Sequence, residues 1–145
     1  MSVALDANIL IHASRPESPE HAAAGRLLQA QVDGPEVLCL AWATITAYFR
    51  TATHPRVFAQ PLSPDEATAN VAALLERPRT RVLVEEEGFW GIFRGLLASH
   101  RARGKLVHDV HLAALLRQHG VTTLYTHDRD FRRFDFLDVR DPFPA

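Results

Sequence analysis

Apolar positions along this chain alternate between two periods. Val3 to Leu5 is a short apolar run that leads straight into Asp6. Glu36 to Leu40 and Arg81 to Val84 are two more runs of strand character. Between the first two, Ala22, Ala23, Leu27, Leu28 and Val32 fall at helical spacing, which predicts a helix over Pro19 to Val32 that Gly34-Pro35 breaks. Trp42 to Thr53 reads as helical or mixed and closes at His54-Pro55. Ser63-Pro64-Asp65-Glu66 predicts a helix start, with an N-cap Ser, Pro at the first position and a Glu three residues on. That helix runs to about Arg77, where Pro78 stops it.

The second half repeats the alternation. Phe89 to Arg103 is amphipathic, with Ile92, Phe93, Leu96 and Leu97 on one face and Gly104 placed as a C-cap. His108 to His119 predicts another helix, ended by Gly120. Val121 to Thr126 is rich in β-branched residues, a fourth strand, and Leu137 to Arg140 a fifth. Strands alternating with helices imply an α/β fold: a mostly parallel central sheet of four to five strands flanked by helices. At 145 residues the chain fits a single domain over 1–145. Ligands of such sheets bind beyond the carboxyl ends of the strands, which is where candidate chemistry is sought.

Composition narrows the function classes. Sixteen Lys+Arg against seventeen Asp+Glu give a net charge of -1, which excludes a wholesale nucleic-acid coat but not a local basic patch. The lone Cys39 cannot form an internal disulfide or a thiolate zinc site. No apolar stretch approaches the ~20 residues that span a bilayer, and the first residues lack a basic-then-apolar leader. The expectation is a cytoplasmic protein with no membrane partner.

Aspartates gather where ligands are expected. Asp6 follows the first strand and Asp128 the fourth, while Asp109 opens the helix over 108–119 and shares the stripe of Leu112, Ala113 and Leu116. A carboxylate turned toward a core is costly unless it is paired or holds a cation. Three of them at one sheet edge repel one another, and a hard divalent cation such as Mg²⁺ or Mn²⁺ relieves that repulsion. Each has a plainer reading alone. Asp6-Ala7-Asn8 is also an Asx turn, Asp109 also a group favouring a helix N-terminus, and Asp128-Arg129-Asp130 also a solvated turn.

Taken in order, the segments around these residues resemble a known family. Leu5-Asp6-Ala7-Asn8-Ile9-Leu10, then Gly104 to Leu115, then Thr126-His127-Asp128-Arg129-Asp130-Phe131 resemble the PIN-domain ribonucleases, and more closely the VapC toxins of bacterial toxin–antitoxin pairs. Arg50, Thr53 to Phe58 and Pro61-Leu62-Ser63 look like an actinobacterial-type subgroup of that family. The resemblance implies a PIN-like domain and a Mg²⁺-dependent endoribonuclease, with Mn²⁺ as an alternative ion. It implies that Asp6, Asp109 and Asp128 are catalytic and metal-binding, with Asn8, Thr126 and Asp130 in supporting roles. It also implies an RNA substrate, a small VapB-like antitoxin and a homodimer. The family's further Glu falls at Ala47, so this chain lacks it and a full second metal site is in doubt.

The remaining chemistry is secondary. His108 and His111 stand at i and i+3, a spacing that chelates transition metals. The adjacent His108-Asp109 is similar to the pair in HD-type phosphohydrolases, but those enzymes are all-helical. Arg101, Arg103 and Lys105 precede Asp109, and Arg129, Arg132 and Arg133 follow Asp128; Arg101, Arg103, Lys105 and Arg129 are the RNA-contact candidates. Trp42, Trp90, Phe89, Phe93 and Phe131 lie in periodic apolar segments and read as core, while Tyr48 and Phe49 are candidates for a dimer face. Two other functions compete. A haloacid-dehalogenase-type phosphatase needs a second aspartate where Asn8 stands, and a catalytically weak protein that binds RNA or a partner chain draws support from Ala47.

Overall fold

The computed structural model describes residues 1–143. Its elements are β1 (Ser2–Leu5), α1 (Ala7–Ala13), α2 (His21–Asp33), β2 (Val37–Ala41), α3 (Trp42–Ala52) and α4 (Pro64–Leu75). They continue with β3 (Thr80–Leu83), α5 (Phe89–His100), α6 (Lys105–Gln118), β4 (Thr123–Tyr125), a 3₁₀ turn (Arg129–Arg133) and β5 (Asp138–Arg140). The five strands pair in the order β3-β2-β1-β4-β5, every pair parallel. From β1 the chain winds outward through β2 to β3, then returns past β1 to build β4 and β5 on its other side. The β1–β4 boundary is therefore the switch point of the sheet, beyond whose carboxyl ends α/β folds bind their ligands.

Side-chain alternation along the strands divides the core into two layers. Val3, Leu5, Leu38 and Leu40 face the layer built with Ile9, Leu10, Ile45, Tyr48 and Val71 from α1, α3 and α4. Ala4, Cys39, Ala41 and Leu124 face the layer of Leu96 from α5 and Val110, Leu112 and Leu116 from α6. In α6, Leu112 through Leu116 are all buried, so this helix is covered on most sides and holds a fixed position against the sheet. No helix of the described residues is long and apolar enough to cross a membrane.

Four local readings change. Helix α1 occupies the segment that reads as an Asx turn leaving β1; Asp6 is its N-cap, accepting a 2.8 Å bond from the Ala7 amide. Gly104 does not close α5. Arg101, in the left-handed region at φ 48, does that, its amide donating back to the last turn, and Gly104 at φ 61, ψ -135 is instead the N-cap of α6. Helix α6 thus begins at Lys105, which puts Asp109 in its second turn, past the reach of a favourable interaction with the helix N-terminus. Trp42 and Trp90 are 51% and 66% exposed rather than core, and both sit in the first turn of their helix, α3 and α5. Phe89 and Phe93 are partly buried and Phe131 is buried, as their periodicity requires. Tyr48 lines no dimer face: it is buried, and its hydroxyl lies 2.7 Å from Ser14 Oγ and accepts from Asn70 Nδ2 at 3.0 Å.

Gly104 is the joint on which the placement of α6 turns. Its φ and ψ are open only to glycine, so Gly104→Ala is expected to cost about 1–3 kcal/mol. Urea unfolding should show a lower midpoint at unchanged slope; an unchanged midpoint contradicts this role for the joint.

Candidate active site

Asp6 leaves β1 at the switch point and is fixed by its neighbours. Its Oδ2 accepts from Thr126 Oγ1 at 2.8 Å and from Asn8 Nδ2 at 3.4 Å. Thr126, buried just past the end of β4, also accepts from Asn8 Nδ2 at 3.1 Å and from the Asp128 amide at 3.0 Å. One hydroxyl therefore ties the first acidic residue to the loop that carries the third. Asn8 reaches the same loop through its Oδ1, which accepts from the His127 amide at 3.2 Å. Asp128 caps the 3₁₀ turn, its Oδ1 accepting from the Asp130 amide at 2.9 Å.

Among the described residues, Asp109, Asp128 and Asp130 each offer an oxygen within 4.8 Å of the others. Asp130, expected only to support the site, is the third member of this group. Asp6 instead shares with Asp109 a cleft of about 590 Å³, also lined by Lys105, His108, His111, Phe131 and a stretch of α3. The α3 wall contributes Ala43, Thr44, Thr46, Ala47 and Arg50. Residue 47 is thus at the cleft, and as alanine it brings no ligand atom there.

The electrostatics follow from crowding. Burial, then the neighbouring Asp128, push the Asp109 carboxyl up to about 6, and burial likewise raises Asp6 despite the Thr126 and Ala7 bonds. Lys105 Nζ lies 3.5 Å from Asp128 Oδ2, and Asp128 and Asp109 raise its pKa in turn. This ammonium is 75% exposed, so it offsets little of the repulsion. Hard carboxylate oxygens held close, with no sulfur and no histidine among them, are the donor set for a hard divalent cation.

The other candidates are not members of this acidic group. His111 Nε2 is 2.7 Å from Glu85 Oε1, so the i, i+3 histidine pair does not converge on a metal. Glu86 and Glu87 bind α6 through Gln118, whose amide donates to both of their carbonyls. Of Arg101, Arg103, Lys105 and Arg129, Lys105 lines the cleft; the arginines are exposed on the segments beside it. Arg50, Thr44 and Thr46, to which the sequence pattern assigned no role, line the cleft as well, and the spacing of 43, 47 and 50 along one helix face was the available signal. A smaller cavity of about 250 Å³ between α2 and α4 has no carboxylate in its lining.

Comparison with known proteins supplies the family. The PIN domain family profile matches residues 3–137. The chain is 40% identical over 143 residues to Ribonuclease VapC48 of Mycobacterium tuberculosis, covering 99% of both chains. It belongs to the VapC ribonucleases of the PIN-domain family. A second relative, Ribonuclease VapC43 of the same species, is 36% identical over 95% of this chain and 93% of its own. Among solved structures, the Mycobacterium tuberculosis VapC20, a Sarcin-Ricin loop cleaving toxin, superposes with TM-score 0.71 at 21% identity, covering 96% of this chain and 99% of that one. VapBC2 from Rickettsia felis, bound to a DNA fragment from its promoter, gives 0.69 at 13% identity over 97% and 98%. These two likenesses establish the VapC fold for the chain.

The Asp109 shift has a sign that can be tested. Its folded pKa of about 6 exceeds the ordinary 3.8, so the folded state binds the proton more tightly. Without divalent ions, the contribution of Asp109 to stability should fall as pH rises from about 4 to about 6, by less than the ~3 kcal/mol of an unscreened shift. Asp109→Asn removes the charge. Urea unfolding in EDTA should find the variant more stable than the wild type above pH ~6.5 and equal to it near pH ~4; a variant less stable at both contradicts the repulsion account.

Proposed function

We propose that the chain is a divalent-metal-dependent endoribonuclease toxin, with Mg²⁺ or Mn²⁺ held by Asp109 and Asp128, assisted by Asp130, and by Asp6 across the cleft. The observation that carries this is the convergence of three carboxylates within 4.8 Å at the switch-point edge of a VapC-family chain. A bound ion supplies Lewis acidity toward a phosphodiester and lowers the pKa of the attacking water.

The chain's own residues supply position. Thr126 and Asn8 hold Asp6 and the Asp128 loop in one frame, so the carboxylates keep their spacing in spite of repulsion. Phe131, buried, gives the cleft an apolar part of its lining. Lys105, and Arg101, Arg103 and Arg129 beside the cleft, hold flanking RNA phosphates. The partner is a small VapB-like antitoxin. One solved structural neighbour is a toxin–antitoxin complex from Klebsiella pneumoniae, which supports that reading. The toxin works in the cytoplasm as a homodimer.

The test uses antitoxin-free protein and end-labelled total RNA with Mg²⁺, Mn²⁺ or EDTA. Discrete cuts that need the ion and vanish in Asp6→Asn, Asp109→Asn and Asp128→Asn are the expected result, with each variant still folded. Retained cutting in Asp6→Asn and Asp109→Asn overturns the assignment. No cutting by folded wild type in any metal favours a catalytically weak RNA- or partner-binding protein, the second reading that Ala47 supports.

A further inference from the structure

Every carboxylate of the cleft comes from the end of β1, from α6 or from the loop after β4. The wall built by α3 contributes none. Its lining face is Ala43, Ala47 and Arg50, successive positions of one helical stripe, with Thr44 and Thr46 beside it. Ala47 is the residue that withholds a further ligand. One turn on, Arg50 is the cation of this wall, and among the described residues it pairs with no carboxylate and no backbone oxygen. Arg15, Arg79, Arg133 and Arg140 by contrast are each tied to a carboxylate or a carbonyl. A guanidinium lining an acidic cleft while bonded to none of its acids keeps its planar set of N–H donors for an incoming anion.

The charge balance explains why such a group is needed. Asp6, Asp109, Asp128 and Asp130 outweigh one divalent ion together with Lys105, so a phosphodiester enters a site that is still negative. In two-ion nucleases the second ion stabilises charge on the reacting phosphate. We propose that Arg50 is a catalytic residue that binds the scissile phosphate from the α3 wall, in place of the second cation that a carboxylate at position 47 would recruit. This rests on the ribonuclease reading above. During hydrolysis the water oxygen bonds to phosphorus, one P–O ester bond breaks, the water's proton is lost to solvent and the leaving oxygen gains one. The negative charge that builds on the non-bridging oxygens meanwhile is what the Arg50 fork accepts through two N–H bonds.

Three measurements on Arg50→Ala and Arg50→Lys test this. Alanine is the strongest helix former and Arg50 is exposed on α3, so both variants should fold as the wild type does. Single-turnover cutting of labelled total RNA in Mg²⁺ should slow at least ~100-fold in Arg50→Ala, with partial recovery in Arg50→Lys. Binding of a short fluorescein-labelled single-stranded RNA in EDTA should weaken, and its dependence on log salt should flatten by about 0.7. Melting temperature, and its rise with Mn²⁺, should match the wild type. Cutting within about threefold of wild type overturns the proposal, as does an unchanged salt slope or a lowered melting temperature, either of which makes Arg50 structural. If the wild type cuts nothing and Asp109→Asn behaves identically, the ribonuclease reading falls and this one with it; if the wild type cuts and Arg50→Ala keeps pace, this one falls alone.

Discussion

Carboxylates crowded at one edge of a parallel sheet are the constraint on which this structure turns. The β1–β4 switch point sets the ends of two adjacent strands side by side, and each end delivers an aspartate or the loop that carries one. Helix α6 brings Asp109 to the same edge, buried at 7% exposure and raised to about 6 by burial and by Asp128. An arrangement of this kind opposes folding in the absence of a cation, and something must hold it together. The covered stripe of α6 and the Thr126 hydroxyl do so, the first by packing and the second by bonding to Asp6, Asn8 and the Asp128 amide at once.

Most of the architecture was legible along the chain, because hydrophobic period and breakers agree there. The strand positions, the capped start of α4 at Ser63 and the order of alternation all follow from local pattern, and Ser63 and Glu66 do form the reciprocal cap. What the pattern could not give has physical reasons. Helix α1 spans seven residues, too short for a periodicity to declare itself, and its cap is the same aspartate that reads as a turn. Gly104 satisfies the sequence rule for a C-cap equally well whichever helix it serves. The choice fell to Arg101, a non-glycine in the left-handed region, where no residue rule points. Trp42 and Trp90 sit on apolar stripes, yet each lies in the first turn of its helix with the indole exposed, and periodicity alone does not say which turn of a helix is covered.

The candidate site was easier to read in its acids than in its walls. Asp6, Asp109 and Asp128 stood out as candidates from their places after strands and on a late helix, and their proposed roles came from the family resemblance. The structure adds that Asp130, and not Asp6, completes the tight group with the other two. Tertiary folding decides this, since the 3₁₀ turn after Asp128 swings Asp130 back toward α6. The α3 wall shows the converse: Ala47 was visible as a missing acid, while the arginine one turn away acquires meaning only once α3 is seen to line the cleft.

If the acidic group is a metal site held in its charged form by the ion, binding must displace the proton that Asp109 retains near its pKa. Titration calorimetry of Mn²⁺ into the protein at about pH 6 and about pH 8, each in two buffers of different ionisation enthalpy, measures this directly. The account predicts release of about half a proton per ion at the lower pH and almost none at the higher, where binding is also tighter. Binding with no proton release at either pH, or no binding at all, would contradict it.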